Sequence, residues 1–553
     1  MAERITSVID DKEITENFSF IIIEVLKQLD DCKKVLTNLN LNRINNIKLR
    51  DDYIDNLKSI ITKKVYQNLI TKNHTSPNIQ LNKMQAVITI TNNLEKIADF
   101  CKNIISQISY LTDVNVLKKF DYKEYIDEIV GSVKTIESCL CNNDIELALK
   151  ISKSEAVTDR LCEKDFNHIT EEIKNYNSVK DLIAILFILR YFERMGDALL
   201  NIGEAVISEI FGEKIRIDPF KAIEKTLQLS GNKNKKFDFT YKNIGETKSG
   251  CRIAKIENNS DTENIRRSVF KEGKFEKILV ERQNLEKIQK IIPDIAPKVL
   301  GYSEYGDSAS LLIEYISGDT FRTISINEPI EKSLEMLHIL QEKMVEIWEK
   351  TRKNRPVNGK YMKQLESRIN DVFMVHPDFM IQKTKINTID IDSLSSKITQ
   401  LKSIDAQLSA PFSVLIHGDF NTDNVIFTYS DFQVKFVDLM RQRYMDYVQD
   451  ISVFLLSNFR LPIYDKKIRK KFNILSEDMY KFAKKFADSN DDKTFNSRLA
   501  LGLIRSFITS TRFVLSKNLS KQLFLRSNYL IDKLLLHKKS WKSFTFPMDI
   551  IFY

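Results

Sequence analysis

The chain has 553 residues, enough for two to four domains, each with its own core. Its 43% hydrophobic and 29% charged residues are those of an ordinary soluble protein. The net charge of +9 is spread along lysines that sit beside Asp or Glu, which excludes the concentrated basic face that nucleic acid requires.

Residues 1 to about 212 contain one proline, Pro77, and apolar residues that recur at three and four. The spacing predicts six helices, roughly 15–38, 47–71, 77–110, 121–142, 144–174 and 177–211, broken by "TKNHTSPN", "SYLTDVN", "CNND" and "NYNS". Long helices with short connections predict helix bundles. "FSFIIIEVL" is far shorter than the ~20 apolar residues that span a bilayer, and "MAERITSVIDDKEI" lacks the basic-then-apolar order of a secretory signal. Cys32, Cys101, Cys139, Cys141, Cys162 and Cys251 form no C-x-x-C pair and read as reduced thiols, so a cytoplasmic location is expected.

The helical region repeats. "NNLEKIADFCKNI" in the third helix superposes on "RYFERMGDALLNI" in the sixth, matching Glu95 with Glu193, Asp99 with Asp197 and Asn103 with Asn201. "DDYIDNL" matches "EAVTDRL", which sets Asp51 and Asp55 against Glu155 and Asp159. Two three-helix units related by duplication account for the pattern. Carboxylates four apart share a helix face, and like charges at that spacing cost ~0.2–0.5 kcal/mol on an isolated helix. Their recurrence in both repeats points to an offsetting cation. That cation is either a hard or borderline metal held by clustered oxygens or a neighbouring side chain such as Arg194 or Lys96. His74 and His168 stand alone and read as surface or core residues.

The duplicated E-x-x-x-D helices, "RYFERMGDALLNIGEAV" above all, resemble the PhoU family of phosphate-signalling regulators. The resemblance spans about 10 to 212. It implies a pair of three-helix bundles and iron- or zinc-like clusters on Glu95, Asp99, Asp51 and Asp55, and on Glu193, Asp197, Glu155 and Asp159. It also implies a regulatory role, with a phosphate-transport or sensor protein as partner and a homodimer left open.

Residues 213–236 read as a polar linker with a short helix and the basic run "NKNKK". Beyond it "FTYKNIGE", "GCRIAKIE", "RSVFKEG", "KVLGYSEYG" and "ASLLIEYI" alternate as strands, with a helix over "FEKILVERQNLEKIQKII". After Gly318 the pattern is mostly helical. A small sheet-rich lobe at 237–318 followed by a helical lobe at 319–553 is expected.

"VLIHGDFNTDNVIFTYSDFQVKFVDL" concentrates His417, Asp419, Asn424 and Asp438 between two strand-like runs. Moving a γ-phosphoryl group is positioning plus charge neutralisation: one carboxylate for the attacking hydroxyl, and hard oxygen ligands for Mg²⁺. H-x-D-x-x-x-x-N followed by a later Asp supplies both. Asp and Asn also cap ordinary turns, but here three elements come in the required order. The motif resembles the aminoglycoside phosphotransferase and choline kinase family, relatives of the protein kinases. The resemblance covers about 237 to 553 and implies ATP with Mg²⁺ bound between two lobes.

It makes Asp419 the catalytic base, Asn424 and Asp438 the Mg²⁺ ligands, His417 a brace for the loop and Asp450 its backbone anchor. Lys271 would reach the phosphates, paired with Glu281; Lys255 or Lys274 takes its place in a shifted register. Backbone groups of Glu314 and Ile316 would accept the adenine, and Gly245 and Gly250 would cover the phosphates. Residues of about 328–410, where an acceptor would be recognised, match nothing assignable. The expected whole is a multidomain chain, an all-α pair of three-helix bundles followed by a bilobal α+β protein-kinase-like domain. Its expected activity is phosphoryl transfer to a small-molecule hydroxyl, and the alternative is a nucleotide-binding regulatory protein without catalysis.

Overall fold

The computed structural model describes residues 11–38, 41–71, 77–173, 178–213, 215–229, 239–246, 251–258, 267–537 and 540–553. The chain folds as two compact units, one built on Met1–Gln228 and the other on Thr262–Tyr553, with short segments of 229–261 divided between them.

The long N-terminal segment of the first unit is helical: α1 (Lys12–Thr37), α2 (Leu41–Thr71), α3 (Pro77–Ile108), α4 (Tyr122–Val133), α5 (Ile136–Asn142), α6 (Ile145–Glu172), α7 (Val179–Phe211) and α8 (Ile217–Leu229). Asp11 starts α1 by accepting the amides of Glu13 at 2.9 Å and Ile14 at 3.2 Å. Asp144 starts α6 by accepting the Leu147 amide at 2.9 Å. Helices α1, α2 and α3 pack as one bundle, and α4, α6 and α7 as a second, with α3 laid against α7. The single helix predicted over 121–142 is broken in two. The amide and hydroxyl of Thr135 both donate to the Ser132 carbonyl, at 3.0 and 2.8 Å, and this closes a tight turn between α4 and α5. Helix α7 ends at Gly212, whose φ of +72° is the left-handed conformation that stops a helix.

Strands β1 (Phe239–Glu246) and β2 (Arg252–Asn258) fall mostly in the first unit. β3 (Arg267–Lys274), β4 (Val299–Tyr305) and β5 (Ser308–Glu314) lie in the second, in the order β3-β5-β4. β3 and β5 run antiparallel with Lys271 opposite Leu311. Helix α9 (Phe275–Ile291) follows β3 directly and buries Ile278, Glu281, Leu285 and Ile288, one face at helical spacing.

The helical part comprises α10 (Phe321–Asn327), α11 (Ile330–Thr351), α12 (Tyr361–Glu366), α13 (Ile369–Val375), α14 (Leu394–Gln407), α15 (Val448–Phe459), α16 (Lys466–Ser489), α17 (Phe495–Thr511) and α18 (Lys517–Leu536). Small sheets lie among these helices. β6 (Gly318–Thr320) pairs with β10 (Val425–Thr428), which pairs in turn with β11 (Val434–Phe436). β9 (Val414–Ile416) pairs with β12 (Arg443–Met445), and β7 (Thr384–Ile386) with β8 (Ile389–Ile391). The last hairpin has no counterpart in the sequence expectation, because three-residue strands are too short to show a period of two.

One apolar core runs from Leu311 and Ile313 on β5 to Leu503 and Ile504 on α17. Buried within the helical part, Arg498 is clasped by Asp446 and Asp492. Tyr361 donates its hydroxyl to Asp446 at 2.9 Å, and Tyr447 donates to Asp492 at 2.6 Å. A buried charge needs such pairing, and this network fixes the chain between β12 and α15.

Candidate functional site

The loop after β9 is fixed at three points. At the first, Gly418 has φ +85°, and a β-carbon there would lie 2.3 Å from the Arg441 carbonyl oxygen, so the loop is held close to the segment after β11. At the second, Asp450 in the first turn of α15 accepts the His417 amide at 2.7 Å and the Gly418 amide at 2.9 Å. Burial pushes its carboxyl above the ordinary range. The third is the His417 ring, which places Nε2 3.0 Å from the Val437 carbonyl while Nδ1 accepts the Asp419 amide at 3.3 Å. That network calls for the tautomer protonated on Nε2.

Asp419 projects from this loop. Its Oδ1 accepts Nδ2 of Asn421 at 2.8 Å, and its Oδ2 lies 3.1 Å from Nη1 of Arg441. The Asp419 carbonyl accepts Nδ2 of Asn424 at 2.8 Å, which leaves the amide oxygen of Asn424 available to another partner. Asn424 immediately precedes β10 and Asp438 closely follows β11. Val425 pairs with Phe436, and the Val437 amide donates to the Asn424 carbonyl at 3.1 Å. The two side chains therefore share one end of a hairpin. Asp438 has φ +62°, a left-handed conformation that Asp tolerates better than most residues.

Lys271 on β3 lies 2.5 Å from Glu281 on α9 and 3.3 Å from Asp438. Burial pulls the Lys271 ammonium down, but Glu281 and Asp438 outweigh it and hold the group above its usual range. Burial pushes Asp438 up, and Lys271 and His417 outweigh that to lower it. Glu281 is raised, chiefly by burial. Of the three candidate lysines, Lys271 is the one paired with Glu281; Lys255 pairs with Glu257 at 2.7 Å, and Lys274 is exposed at the start of α9. For a divalent ion, the donors present are the Asp438 carboxylate and the Asn424 amide oxygen, hard ligands that suit Mg²⁺.

Of the two expected adenine contacts, the Glu314 amide is committed to the Lys298 carbonyl at 2.9 Å, and Ile316 lies just beyond the strand. Gly245 lies in β1, and Gly250 falls outside the described residues.

A cleft of about 820 Å³ has Asp419 in its lining. Six arginines line it: Arg322, Arg368, Arg441, Arg460, Arg505 and Arg512. The sequence reading named none of them, because they come from five separate stretches of chain. Arg505, within the apolar helix run "LALGLIRSFITST", is the one that carried a local signal.

In the helical unit the two carboxylate ladders assemble. Burial first, then the charges of their neighbours, raise Glu95, Asp99 and Asp159, and those neighbours include Asp51, Asp55, Glu193 and Asp197. The cations beside them are side chains. Lys58 lies 3.0 Å from Glu95, Lys102 lies 2.5 Å from Asp51 and 3.8 Å from Asp99, and Arg190 pairs with Glu193. Glu155 bonds to Asp159. Among the described residues no group of three or more His, Cys, Asp and Glu is placed to hold a metal ion. The expected iron- or zinc-like clusters are not seen among the described residues, and Lys58, Lys102 and Arg190 supply positive charge beside Glu95, Asp51 and Glu193. These partners also replace the expected Arg194 and Lys96. Asn201 turns instead to Asn93, at 3.5 Å.

Among the described residues no helix is long and apolar enough to cross a membrane. The PhoU domain family matches residues 23–108 and 123–206, and the ecdysteroid kinase-like family matches residues 272–487. The phosphate-specific transport system accessory protein PhoU homolog 1 of Thermotoga maritima is 26% identical over 205 residues, covering 36% of this chain and 87% of that protein. Two solved structures are similar to the C-terminal half. An aminoglycoside-3'-phosphotransferase of type VIII has 16% identity and a TM-score of 0.36, over 54% of this chain and 98% of that one. Choline kinase from Cryptosporidium parvum has 13% identity and a TM-score of 0.32, over 55% and 92%. This chain carries PhoU domains in its N-terminal part and, in its C-terminal half, a kinase-like domain of the ecdysteroid kinase-like family.

Proposed function

We propose that the C-terminal unit transfers the γ-phosphoryl group of ATP to a hydroxyl of a small molecule, under regulation by the helical unit. The observation that carries this reading is the buried Lys271–Glu281 pair with the half-buried Asp438 beside it, and Asp419 on the loop anchored by Asp450. Lys271, held by Glu281, bears on the α- and β-phosphates. Asp438 and Asn424 would hold Mg²⁺, which would offset charge on the phosphates. Asp419 orients the acceptor hydroxyl and takes its proton, while His417 and Asp450 keep the loop in place. Backbone groups of Glu314 and Ile316 receive the adenine. The domain limits proposed are 1–212, a linker at 213–236, and the two kinase-like lobes at 237–318 and 319–553.

A second reading, a nucleotide-binding regulatory protein without catalysis, is favoured by one feature: both carboxylate oxygens of Asp419 are already engaged, by Asn421 and Arg441. ADP formation by the full chain with a panel of acceptors separates the two. Under the first, turnover is measurable and Asp419→Asn abolishes it while ATP still binds. ATP binding with no turnover for any acceptor selects the second.

The curated relative is named as an accessory protein of phosphate-specific transport. By that likeness the helical unit docks a phosphate-transport or sensor protein and biases the kinase. This predicts that Glu193→Gln with Asp197→Asn changes turnover; unchanged kinetics in a folded variant would remove the coupling.

A further inference from the structure

The cleft beside Asp419 is unusual in charge. Six arginines line it against two acids, Asp419 and Asp423, and Lys271, Glu281 and Asp438 do not line it. Of the six, only Arg441, which pairs with Asp419 and whose charge reaches Asp438, is tied to the groups assigned to the nucleotide. Three are paired: Arg322 with Asp423 at 3.3 Å, Arg441 with Asp419 at 3.1 Å and Arg512 with Asp371 at 3.0 Å. The other three, Arg368, Arg460 and Arg505, have no carboxylate at ion-pair distance among the described residues.

Arg505 is the most telling. It is 5% exposed, its Nη2 donates to Gln449 at 3.1 Å and Ser452 at 3.2 Å, and its Nε has no hydrogen-bond partner. Burial, with the like charges of Arg368 and Arg441, pushes it down to about 10, which still leaves it charged at neutral pH. Arg460 is aimed by Asn421, whose Oδ1 accepts its Nη2 at 2.9 Å, and the same Asn421 donates to Asp419. A buried guanidinium without a counter-charge is destabilising, and the natural remedy is an anion that arrives from outside.

The N-terminus of α18 adds donors at the same cleft. Ser516, in the capping position, lines it and makes no side-chain bond to the first-turn amides, so those amides are available to an anion.

Positioning one γ-phosphoryl group beside Asp419 accounts for Arg441, but not for Arg368, Arg460 and Arg505 as well. A cationic acceptor would be repelled. We propose that the acceptor is itself anionic: a hydroxyl-bearing phosphate monoester of sugar-phosphate size, its phosphate held among Arg368, Arg460 and Arg505 and its hydroxyl at Asp419. The planar guanidinium fork matches phosphate oxygens two at a time. A volume of about 820 Å³ is within the roughly 300–1,000 Å³ usual for small-molecule sites.

This inference rests on the phosphotransferase reading and names its substrate class. In the reaction the acceptor hydroxyl oxygen forms a bond to the γ-phosphorus as the bond from that phosphorus to the β,γ-bridging oxygen breaks. The electron pair leaves with ADP, and the hydroxyl proton passes to Asp419 and on to solvent.

The test uses the full chain and two readouts, calorimetric binding without ATP and ADP formation with ATP·Mg²⁺. The probes are glucose 6-phosphate, fructose 6-phosphate, glucose, citrate, choline and inorganic phosphate. The expected result is that a hexose phosphate binds at least tenfold more tightly than glucose or inorganic phosphate. Arg368→Ala and Arg460→Ala should each weaken that binding about tenfold or more while the affinity for ATP holds.

Turnover of choline or glucose with no binding of either hexose phosphate would overturn the proposal and leave the phosphotransferase standing. Equal affinity for inorganic phosphate and hexose phosphate would assign the cleft to a free anion and overturn it too, as would preference for citrate over both esters. Tight, arginine-dependent binding of a hexose phosphate without ADP formation keeps the anion site and removes the transfer reaction.

Discussion

Asp450 holds Gly418 in a conformation that other residues adopt poorly: its Oδ1 accepts the glycine amide at 2.9 Å while the glycine keeps φ at +85°. The carboxylate also takes the His417 amide at 2.7 Å, so a single side chain satisfies two consecutive buried donors and sets where Asp419 points. Asp450→Asn turns one acceptor into a donor facing another donor. Losing a charge-assisted bond there should cost about 1.5–3 kcal/mol in the second unit. ADP formation should fall by more than tenfold with ATP binding retained. Gly418→Ala should be more severe, since its β-carbon meets backbone that cannot rotate away. Unfolding midpoints beside turnover check both; an Asp450→Asn protein with unaltered turnover would detach this residue from the site.

The Lys271–Glu281 pair allows stability and function to be separated. Lys271→Met leaves Glu281 buried without its partner and should cost about 3–5 kcal/mol, whereas Glu281→Gln should cost less, because Asp438 still lies 3.3 Å from Lys271. Replacing both with methionine removes the charges together, so the double variant should regain most of that loss. It should not regain affinity for ATP, because no ammonium remains for the phosphates. Denaturant melts and ATP titrations on the three variants decide this. A double variant as unstable as Lys271→Met would mean that the ion pair has a packing role that methionine cannot fill.

Asp405 gives the second unit a pH dependence. Burial pushes its carboxyl to about 6, opposed by the Met362 amide that donates to it at 2.8 Å. The folded value lies above the unfolded one, near 3.9, so the folded state binds the extra proton between them. Stability from this group is therefore complete below the unfolded value and is lost as pH rises through about 6. The expected loss is on the order of 2–3 kcal/mol between pH 4 and 7.5. Asp405→Asn should flatten this part of the stability profile, and chemical denaturation at four pH values would show it. A variant profile parallel to the original would exclude Asp405 as the source.

Local sequence made some features legible and left others hidden, for a physical reason. The helix boundaries were readable because caps and turns are local: Asp144 caps α6 and Gly212 stops α7 where the composition changes. The HGD loop, Asn424 and Asp438 were readable because they lie within one short stretch, and Asp450 follows soon after. The phosphate-binding lysine was narrowed to three candidates, and among them Lys271 is the one that meets Glu281 in the folded unit. The arginine cleft was hidden because Arg322, Arg368, Arg441, Arg460, Arg505 and Arg512 meet only after α10, α12, α15, α17 and α18 have packed. The fate of the carboxylate ladders was hidden for the same reason. Lys58 and Lys102 reach Glu95 and Asp51 across a bundle, whereas a sequence shows only neighbours along one helix.

Two glycines seven residues apart on α7, Gly196 and Gly203, set how closely it approaches α6. A β-carbon at Gly203 would lie 1.9 Å from the Ser152 hydroxyl and 2.6 Å from the Ala148 carbonyl oxygen. At Gly196 it would meet the Thr158 hydroxyl at 2.0 Å and the Glu155 α-carbon at 3.1 Å. The Thr158 side chain can turn, but the Ala148 carbonyl belongs to a helix and cannot move alone. Alanine favours a helix over glycine by about 1 kcal/mol, whereas forcing a packed interface apart costs about 1–3 kcal/mol. Gly203→Ala should therefore destabilise the helical unit by up to about 2 kcal/mol net, and Gly196→Ala should be milder or neutral. Thermal unfolding of the full chain, followed by far-ultraviolet circular dichroism, tests the order. If Gly203→Ala melts higher than the parent, helix propensity outweighs packing at this crossing, and α6 and α7 approach less closely than these contacts require.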